Sequence, residues 1–275
     1  MTIAEQTNGH ENRFRDGAPA YAAYLETPEG RLRSGLALAN LQEFLPAVQP
    51  PRFLRALDIG AGTGDVAVCL ARLGIHVTLL DCSPEMLDLA NRAAREAGAG
   101  ARIALREGDA SQAAALFAGA CFDVIVCHNV LEFVDDPVAV LRSASHLMRE
   151  SSVLSVLVRN QAGEVLKAAI QAGDLAGAER SLAAEWGRES LFGGKVRLFT
   201  PESLHAMLRE ASLTAMDMRG VRVLSDYLPP AISLEAEYQR IFALERKLGG
   251  RPEFRAMARY TQFLVGRTSQ PEPGT

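Results

Sequence analysis

The chain has little lysine, one tryptophan and no long apolar run. Of its 29 basic residues 26 are arginine and 3 are lysine. A membrane helix needs about 18 or more consecutive apolar residues, and none occurs. The first twenty residues carry Glu5, Glu11, Arg13, Arg15 and Asp16 without an apolar stretch, so neither a signal peptide nor a membrane contact is expected, and a cytoplasmic location follows by default. The four cysteines, Cys69, Cys82, Cys121 and Cys127, lack the close paired spacing of zinc or redox motifs. They read as reduced, small apolar residues, with no metal site and with a monomer or weak dimer as the expected state. Repeats and low-complexity segments are also missing, and only residues 1–15 and 268–275 look disordered.

With 48% hydrophobic and 23% charged content, 275 residues suffice for one large α/β core or a core with an appended subdomain. The net charge of −4 is unevenly spread: residues 1–150 hold 13 basic against 19 acidic residues, and residues 151–275 hold 16 against 14. An anionic substrate would prefer the C-terminal part, although the arginine excess also fits a solvated surface.

Five short apolar runs, "RFLRALDIG" (52–60), "HVTLLD" (76–81), "ARIALREGD" (101–109), "FDVIVCHN" (122–129) and "SVLSVLVRN" (152–160), read as strands buried between helices. Between them, "SPEMLDLANRAAREAG" and "DDPVAVLRSASHLMRE" begin with Ser83-Pro84 and Asp136-Pro137, an N-cap followed by proline at the first helical position. Strict alternation implies a Rossmann-like, doubly wound, mostly parallel α/β sheet. Residues 163–198 are Ala-rich and amphipathic with no strand pattern, and are expected to be a helical insertion. Gly163, Gly173, Gly193 and Gly194 would serve as its joints, so that it acts as a lid. The alternation resumes with "TPESLHAMLREAS", capped by Thr200 with Pro201, then "AMDMRGVRVLSDYL", a helix at about 234–248 and a final, antiparallel strand "YTQFLVGRT". The expected organisation is an N-terminal helical cap (1–50), a ligand-binding core (51–162), the insertion (163–198) and a C-terminal part of the same sheet (199–268).

"LDIGAGTGDVA" (57–67) is an apolar run ending in three glycines flanked by acids. Where the dinucleotide fingerprint has its third glycine stands Asp65, and with Asp58 at the strand end it would repel a pyrophosphate. Such a turn suits a cationic ligand. S-adenosylmethionine has an ammonium, a sulfonium and no phosphate, and Asp81, at the tip of the next strand, is placed to hold its ribose hydroxyls.

These residues resemble the class I S-adenosylmethionine-dependent methyltransferases over about 50–160. In that comparison "LDIGAGTG" is the glycine motif, Asp81 the ribose acid, "EGDA" the adenine-contacting turn through Asp109, and "FDVIVCHNVLEFVDDP" the fourth strand with its loop. A narrower resemblance, carried by "EGRLRSGL", "HNVLEFVDDP", "VLVRNQAG", "GVRVLSDYL" and "RPEFRAMARY", is to the bacterial tRNA 5-carboxymethoxyuridine methyltransferases, which esterify a wobble-uridine carboxylate. The segment 163–198 departs from that family in holding only Lys167 and Lys195. The resemblance implies S-adenosyl-L-methionine as cofactor, held by Arg33, Asp58, Gly60, Ala61, Gly62, Asp81, Cys82, Met86, Asp109, Ala110 and His128.

The acceptor is left open between a tRNA base and a small molecule of secondary metabolism, methylated on oxygen or nitrogen. A non-catalytic binding protein is a further alternative, against which the intact acids at all three loops argue. If the acceptor is a carboxylate, Arg159, Arg197 and Arg222 are candidates to orient it, with Asn160 and Tyr227 lining the pocket. If it is a hydroxyl or amine, His128 is the natural base. Blander readings stand beside these. In them His128 ends a buried strand and satisfies a carbonyl, and Arg222 faces solvent. Trp186 and Phe192 are core of the insertion as readily as a base-stacking platform, Tyr227 packs a strand end, and Glu132 is a helix-start or loop carboxylate.

Overall fold

The computed structural model describes residue 14 and residues 16–47, 52–189, 191 and 194–268. Seven of its strands, β1 (Arg55–Ile59), β2 (His76–Asp81), β3 (Ile103–Glu107), β4 (Phe122–His128), β5 (Met148–Arg159), β8 (Leu213–Val221) and β9 (Tyr260–Arg267), form one sheet in the order β3-β2-β1-β4-β5-β9-β8. The first five are parallel. β9 lies between β5 and β8 and runs antiparallel to both. This is the doubly wound sheet with an antiparallel final strand expected from the sequence. The other two strands, β6 (Trp186–Arg188) and β7 (Lys195–Arg197), pair as a separate antiparallel ribbon.

Alternate residues of a strand point to opposite faces, and the central strands bury both. Leu57, Ile59, Ile125 and Cys127 join one apolar cluster, while Ala56, Val124 and Val126 join the cluster on the other side. Six helices cover these faces, α1 (Pro28–Gln42), α2 (Asp65–Arg72), α3 (Pro84–Glu96), α4 (Pro137–His146), α7 (Pro201–Glu210) and α8 (Tyr238–Gly249), while α5 (Gln161–Leu166) and α6 (Leu175–Ser181) belong to the segment after β5. A third cluster, with Leu32, Leu36, Leu157, Val221 and Ile241, seals α1 and α8 against β5, β9 and β8. Emptying one such leucine position to alanine costs about 2 to 5 kcal/mol.

The cap-and-proline device read from the sequence is present three times. Ser83 accepts from Met86 N at 3.2 Å, Asp136 from Ala139 N at 3.0 Å and Thr200 from Ser203 N at 3.1 Å. Each is followed by proline, whose fixed φ and missing N–H suit a first turn. Thr27 and Pro28 repeat it at α1.

Four details differ from the sequence reading. First, the helix expected to reach residue 150 stops at His146, and Met148 already pairs with Phe122 in β5. Ser152 accepts from Arg149 N at 2.8 Å and donates to Phe122 O at 2.6 Å, which closes an irregular start of the strand. Second, the helix expected from 234 begins at Tyr238. Third, the insertion is not all helical: its second half is the β6–β7 ribbon, pinned by wholly buried Val196 between an exposed Lys195 and a half-buried Arg197. Fourth, Gly163 is no joint. It lies inside α5, and a Cβ there would stand 2.8 Å from Ala258 O and Arg259 Cα. Gly173 and Gly194 do have positive φ, as turns require, and Gly193 lies outside the described residues. The ends read as disordered also lie outside them, except for Phe14 and Thr268. Among the described residues no helix is long and apolar enough to cross a membrane, and no group of side chains is arranged to hold a metal ion.

Candidate active site

The parallel strands deliver the C-terminal ends of β1, β2, β4 and β5 to one edge of the sheet, where open α/β sheets bind ligands. A cavity of about 550 Å³ opens there. Its floor at β1 is the glycine turn, in which Gly60, Gly62 and Gly64 have φ of 65°, 53° and 77°. Only glycine takes such angles without strain, and a Cβ on Gly60 would also collide with Val130. Gly62 N donates to Asp81 Oδ2 at 2.8 Å and Ser83 N to Oδ1 at 2.9 Å, so the backbone fixes this carboxylate at the tip of β2. Burial raises the Asp81 pKa against those bonds. Asp58 is buried too. Burial first, then the charges of Asp65 and Asp81, holds it well above the usual carboxylate range.

Arg33, Gly60, Gly62, Asp81, Cys82, Met86, Asp109, Ala110 and His128 all line this cavity. Asp58 and Ala61 line a small adjoining one, shared with Tyr21, Arg33 and His128. Arg33 is buried and donates to Tyr21 Oη at 2.9 Å. Asp109 caps a short 3₁₀ turn by accepting from Ser111 N at 2.7 Å. His128 Nε2 is 2.7 Å from Ser155 Oγ, and burial, then the charge of Arg33, pushes its pKa down to about 3.

The far end of the cavity has the opposite polarity: Arg159, Lys167, Arg222 and Arg259 line it with Glu132, Glu189, Asp226, Tyr24 and Tyr260. Arg222 is buried rather than solvent-facing, in the left-handed conformation (φ 60°) just past β8. It pairs with Asp226 and donates to Tyr24 Oη at 3.0 Å, while its Nε has no hydrogen-bond partner among the described residues. Its loop is held from α8, where the buried Glu245 carboxylate accepts from the backbone N–H groups of Val223, Leu224 and Ser225 at 2.6, 3.1 and 2.8 Å. Arg159 reaches Glu164 and Glu189 at 3.3 and 3.4 Å. For Tyr260, burial would raise the pKa. The guanidiniums of Arg33, Arg222, Arg159 and Arg259 outweigh it and bring the phenol below the usual range.

Three expected acceptor residues are not on the cavity wall. Asn160 is buried and spends its amide on the carbonyls of Ala256 and Ala258, at 2.9 and 2.8 Å, which ties β5 to the segment before β9. Arg197 lies over the half-exposed Trp186 ring, 4.8 Å from its centroid, so Trp186 is surface of the ribbon rather than core of the insertion. Phe192 lies outside the described residues. Tyr227 donates to Gly163 O at 3.3 Å and closes the insertion onto the 225–227 turn. In their place stand Tyr24, Tyr260 and Arg259, which sequence reasoning did not single out as site residues, although the "ARY" of "RPEFRAMARY" contains two of them. Glu132 is more than a loop acid. Its Oε1 accepts from Asn129 Nδ2 at 2.9 Å and Arg159 N at 2.8 Å, whereas buried Oε2 has no hydrogen-bond partner among the described residues.

A family described as "Methyltransferase domain" matches residues 57–156, from the glycine turn through β5. The tRNA 5-carboxymethoxyuridine methyltransferase of Escherichia coli K12 is 29% identical over 241 residues, 85% of this chain and 87% of that one. The ubiquinone biosynthesis O-methyltransferase of Xylella fastidiosa is 32% identical over 203 residues, 67% of this chain and 76% of its own length. The chain belongs to the class I S-adenosylmethionine-dependent methyltransferases. The methyltransferase CcbJ from Streptomyces caelestis, 17% identical, has the same fold, with a TM-score of 0.59 over 88% of this chain and 91% of its own.

The cofactor of this methyltransferase is S-adenosylmethionine, and the residues present fit it. Asp58 and Asp65 line the small cavity, where they would attract a cationic group, and Asp81, Met86 and Asp109 line the large one, where they would hold a nucleoside. At the other end, Arg159, Arg222 and Arg259 line the cavity.

Proposed function

We propose that this methyltransferase esterifies a carboxylate, that of a 5-carboxymethoxyuridine at the wobble position of tRNA, in the cytoplasm. The observation that carries the reading is the cluster of buried guanidiniums at the acceptor end, in which Arg259 Nη1 is paired with Glu164 at 2.7 Å while Arg222 Nε has no hydrogen-bond partner among the described residues. A buried guanidinium hydrogen without a partner is costly, and a bound carboxylate would satisfy it. The name of the 29% identical relative points the same way.

Bound S-adenosylmethionine supplies a methyl group already activated by a sulfonium. The residues have the remaining work of orientation and exclusion of water. Asp81 would hold the ribose, Asp109 the adenine side, and Arg33 with His128 the amino-acid end. Arg222 and Arg159, with Arg259 beside them, would orient the acceptor while leaving one oxygen free to attack. An acceptor carboxylate is ionised at neutral pH, so no base is needed.

One observation favours a second reading. The unpartnered Glu132 Oε2 is a proton acceptor in want of a donor, and a hydroxyl of a small-molecule acceptor would supply one. The 32% identical relative is named as an O-methyltransferase of ubiquinone biosynthesis.

Incubation with labelled S-adenosylmethionine and either total bacterial tRNA or a small-molecule extract separates the two. The proposal expects label in tRNA that mild alkali releases as methanol. Alkali-stable label in small molecules would replace it with the second reading.

A further inference from the structure

Polar side chains buried between sheet and helix are costly unless every group is paired. Asn40 of α1, Gln262 of β9 and Ser155 of β5 are at most 3% exposed, and they form one chain. Asn40 Nδ2 donates to Gln262 Oε1 at 2.8 Å. Gln262 Nε2 donates to the Ala37 carbonyl and to Ser155 Oγ, both at 2.9 Å. Ser155 Oγ then meets His128 Nε2 at 2.7 Å.

The direction of this chain follows from what each group can do. A carbonyl only accepts, so the amino group of Gln262 must face Ala37, and the second hydrogen of the same group points to Ser155. A hydroxyl has one hydrogen. Ser155 accepts from Gln262 and has no further hydrogen-bond partner besides His128 among the described residues, so its buried hydrogen has only His128 to go to. Nε2 is therefore the acceptor, and the ring proton sits on Nδ1.

We propose that Asn40, Gln262 and Ser155 are positioning residues that lock His128 as its Nδ1–H tautomer, making it a hydrogen-bond donor to the carboxylate of S-adenosylmethionine and not a base toward the acceptor. The contact with the cofactor rests on the donor placement given above; the tautomer does not. The ring lines the small cavity together with Arg33 from α1 and Asp58 and Asp65 from the glycine turn. That cavity offers a zwitterionic amino-acid end both a cation and an N–H for its carboxylate and two carboxylates for its ammonium. Burial and Arg33 keep the ring neutral through the physiological range, and a neutral ring with Nε2 engaged has no lone pair to offer a substrate.

Nitrogen-15 spectra of the full-length protein labelled at histidine test this, with the His128 signals assigned from a His128→Gln sample. The expected result, with or without S-adenosylhomocysteine, is a protonated Nδ1, a bare Nε2 and no titration between about pH 5 and 9. Ser155→Ala should scramble the tautomer and weaken S-adenosylhomocysteine binding by about tenfold, the order expected for one hydrogen bond to a charged group. Its kcat at saturating donor should stay within about threefold, and Ser155→Thr, which keeps the hydroxyl, should restore both tautomer and affinity. A protonated Nε2 in the wild type, or a ring titrating near its ordinary value, overturns the proposal. So does a Ser155→Ala protein that binds as tightly as the wild type. If the wild type shows the expected tautomer but binds no S-adenosylhomocysteine, the donor placement has failed, and the contact with the cofactor falls with it.

Discussion

At the scale of single residues, the glycine turn sets stability against function. Asp58 is buried beside two other carboxylates, which holds its pKa well up. A carboxyl raised in the folded state stabilises the protein only at low pH, and that contribution is lost as pH climbs from the unfolded value of about 3.9 through the folded one. At neutral pH the empty protein is therefore strained by this group. Asp58→Asn should raise the melting temperature of the donor-free protein by about 2 to 4 °C and lower donor affinity more than tenfold. A thermal melt reads the first and a calorimetric titration the second, and unchanged affinity would take Asp58 out of the site. Asp81→Ala should cost about 1 to 3 kcal/mol of donor binding.

Arg222 carries the acceptor prediction. Lysine at 222 would keep the charge but lose the guanidinium plane, and kcat/KM should fall by about 10- to 100-fold with donor affinity intact. Equal loss of donor binding would mean that the left-handed loop had collapsed. His128, with a folded pKa near 3, contributes stability that is fully present above about pH 6.5 and is lost as pH falls toward 3. It should add no limb to the kcat/KM profile around pH 6 to 7. A wild-type limb there that vanishes in His128→Ala would make the histidine a base and turn the acceptor reading toward a hydroxyl or amine.

At the scale of elements, legibility followed the range over which the chemistry acts. Ser83-Pro84, Asp136-Pro137 and Thr200-Pro201 announce helix starts because a cap bonds an N–H three residues away. The β-branched runs announce buried strands for the same local reason. Asn160 was misread because its partners, the carbonyls of Ala256 and Ala258, are nearly a hundred residues away, and no local pattern marks them. Arg222 shows the same limit: alternation with Val221 and Val223 leaves it open between the acceptor site and solvent, and what decides is that the strand ends at Val221 and the chain turns left-handed. What forces that turn is Glu245, on another element. Glu245→Gln, which replaces one accepting oxygen by a donating amide facing three N–H groups, should destabilise the protein by about 1 to 3 kcal/mol. It should also raise KM for the acceptor more than for the donor, a split that general loosening of α8 would not produce. In the insertion, Leu175, Leu182 and Ile170 are exposed. If α6 and the ribbon close over bound ligand, proteolysis within 163–198 should slow when S-adenosylhomocysteine and acceptor are present. Equal cleavage rates would leave the insertion a fixed wall.

At the scale of the whole molecule, the acceptor question becomes one of salt. A tRNA gripped through its phosphates should lose affinity steeply as salt rises, whereas a small carboxylate inside a buried cavity should respond weakly. Measuring the acceptor KM between about 50 and 200 mM salt therefore discriminates between the two without knowing the substrate.

The place of β9 has a consequence for synthesis. It lies between β5 and β8, and it is made after both. Until Tyr260–Arg267 leaves the ribosome, β5 and β8 have no common neighbour, and a nascent chain must carry β5 as an exposed apolar edge. The same late segment brings Tyr260 to the acceptor end and Gln262 to the histidine chain. The sheet is closed and the pocket completed by one event, so a chain interrupted after Arg255 should appear as aggregate, with no folded, inactive fraction to compete for cofactor.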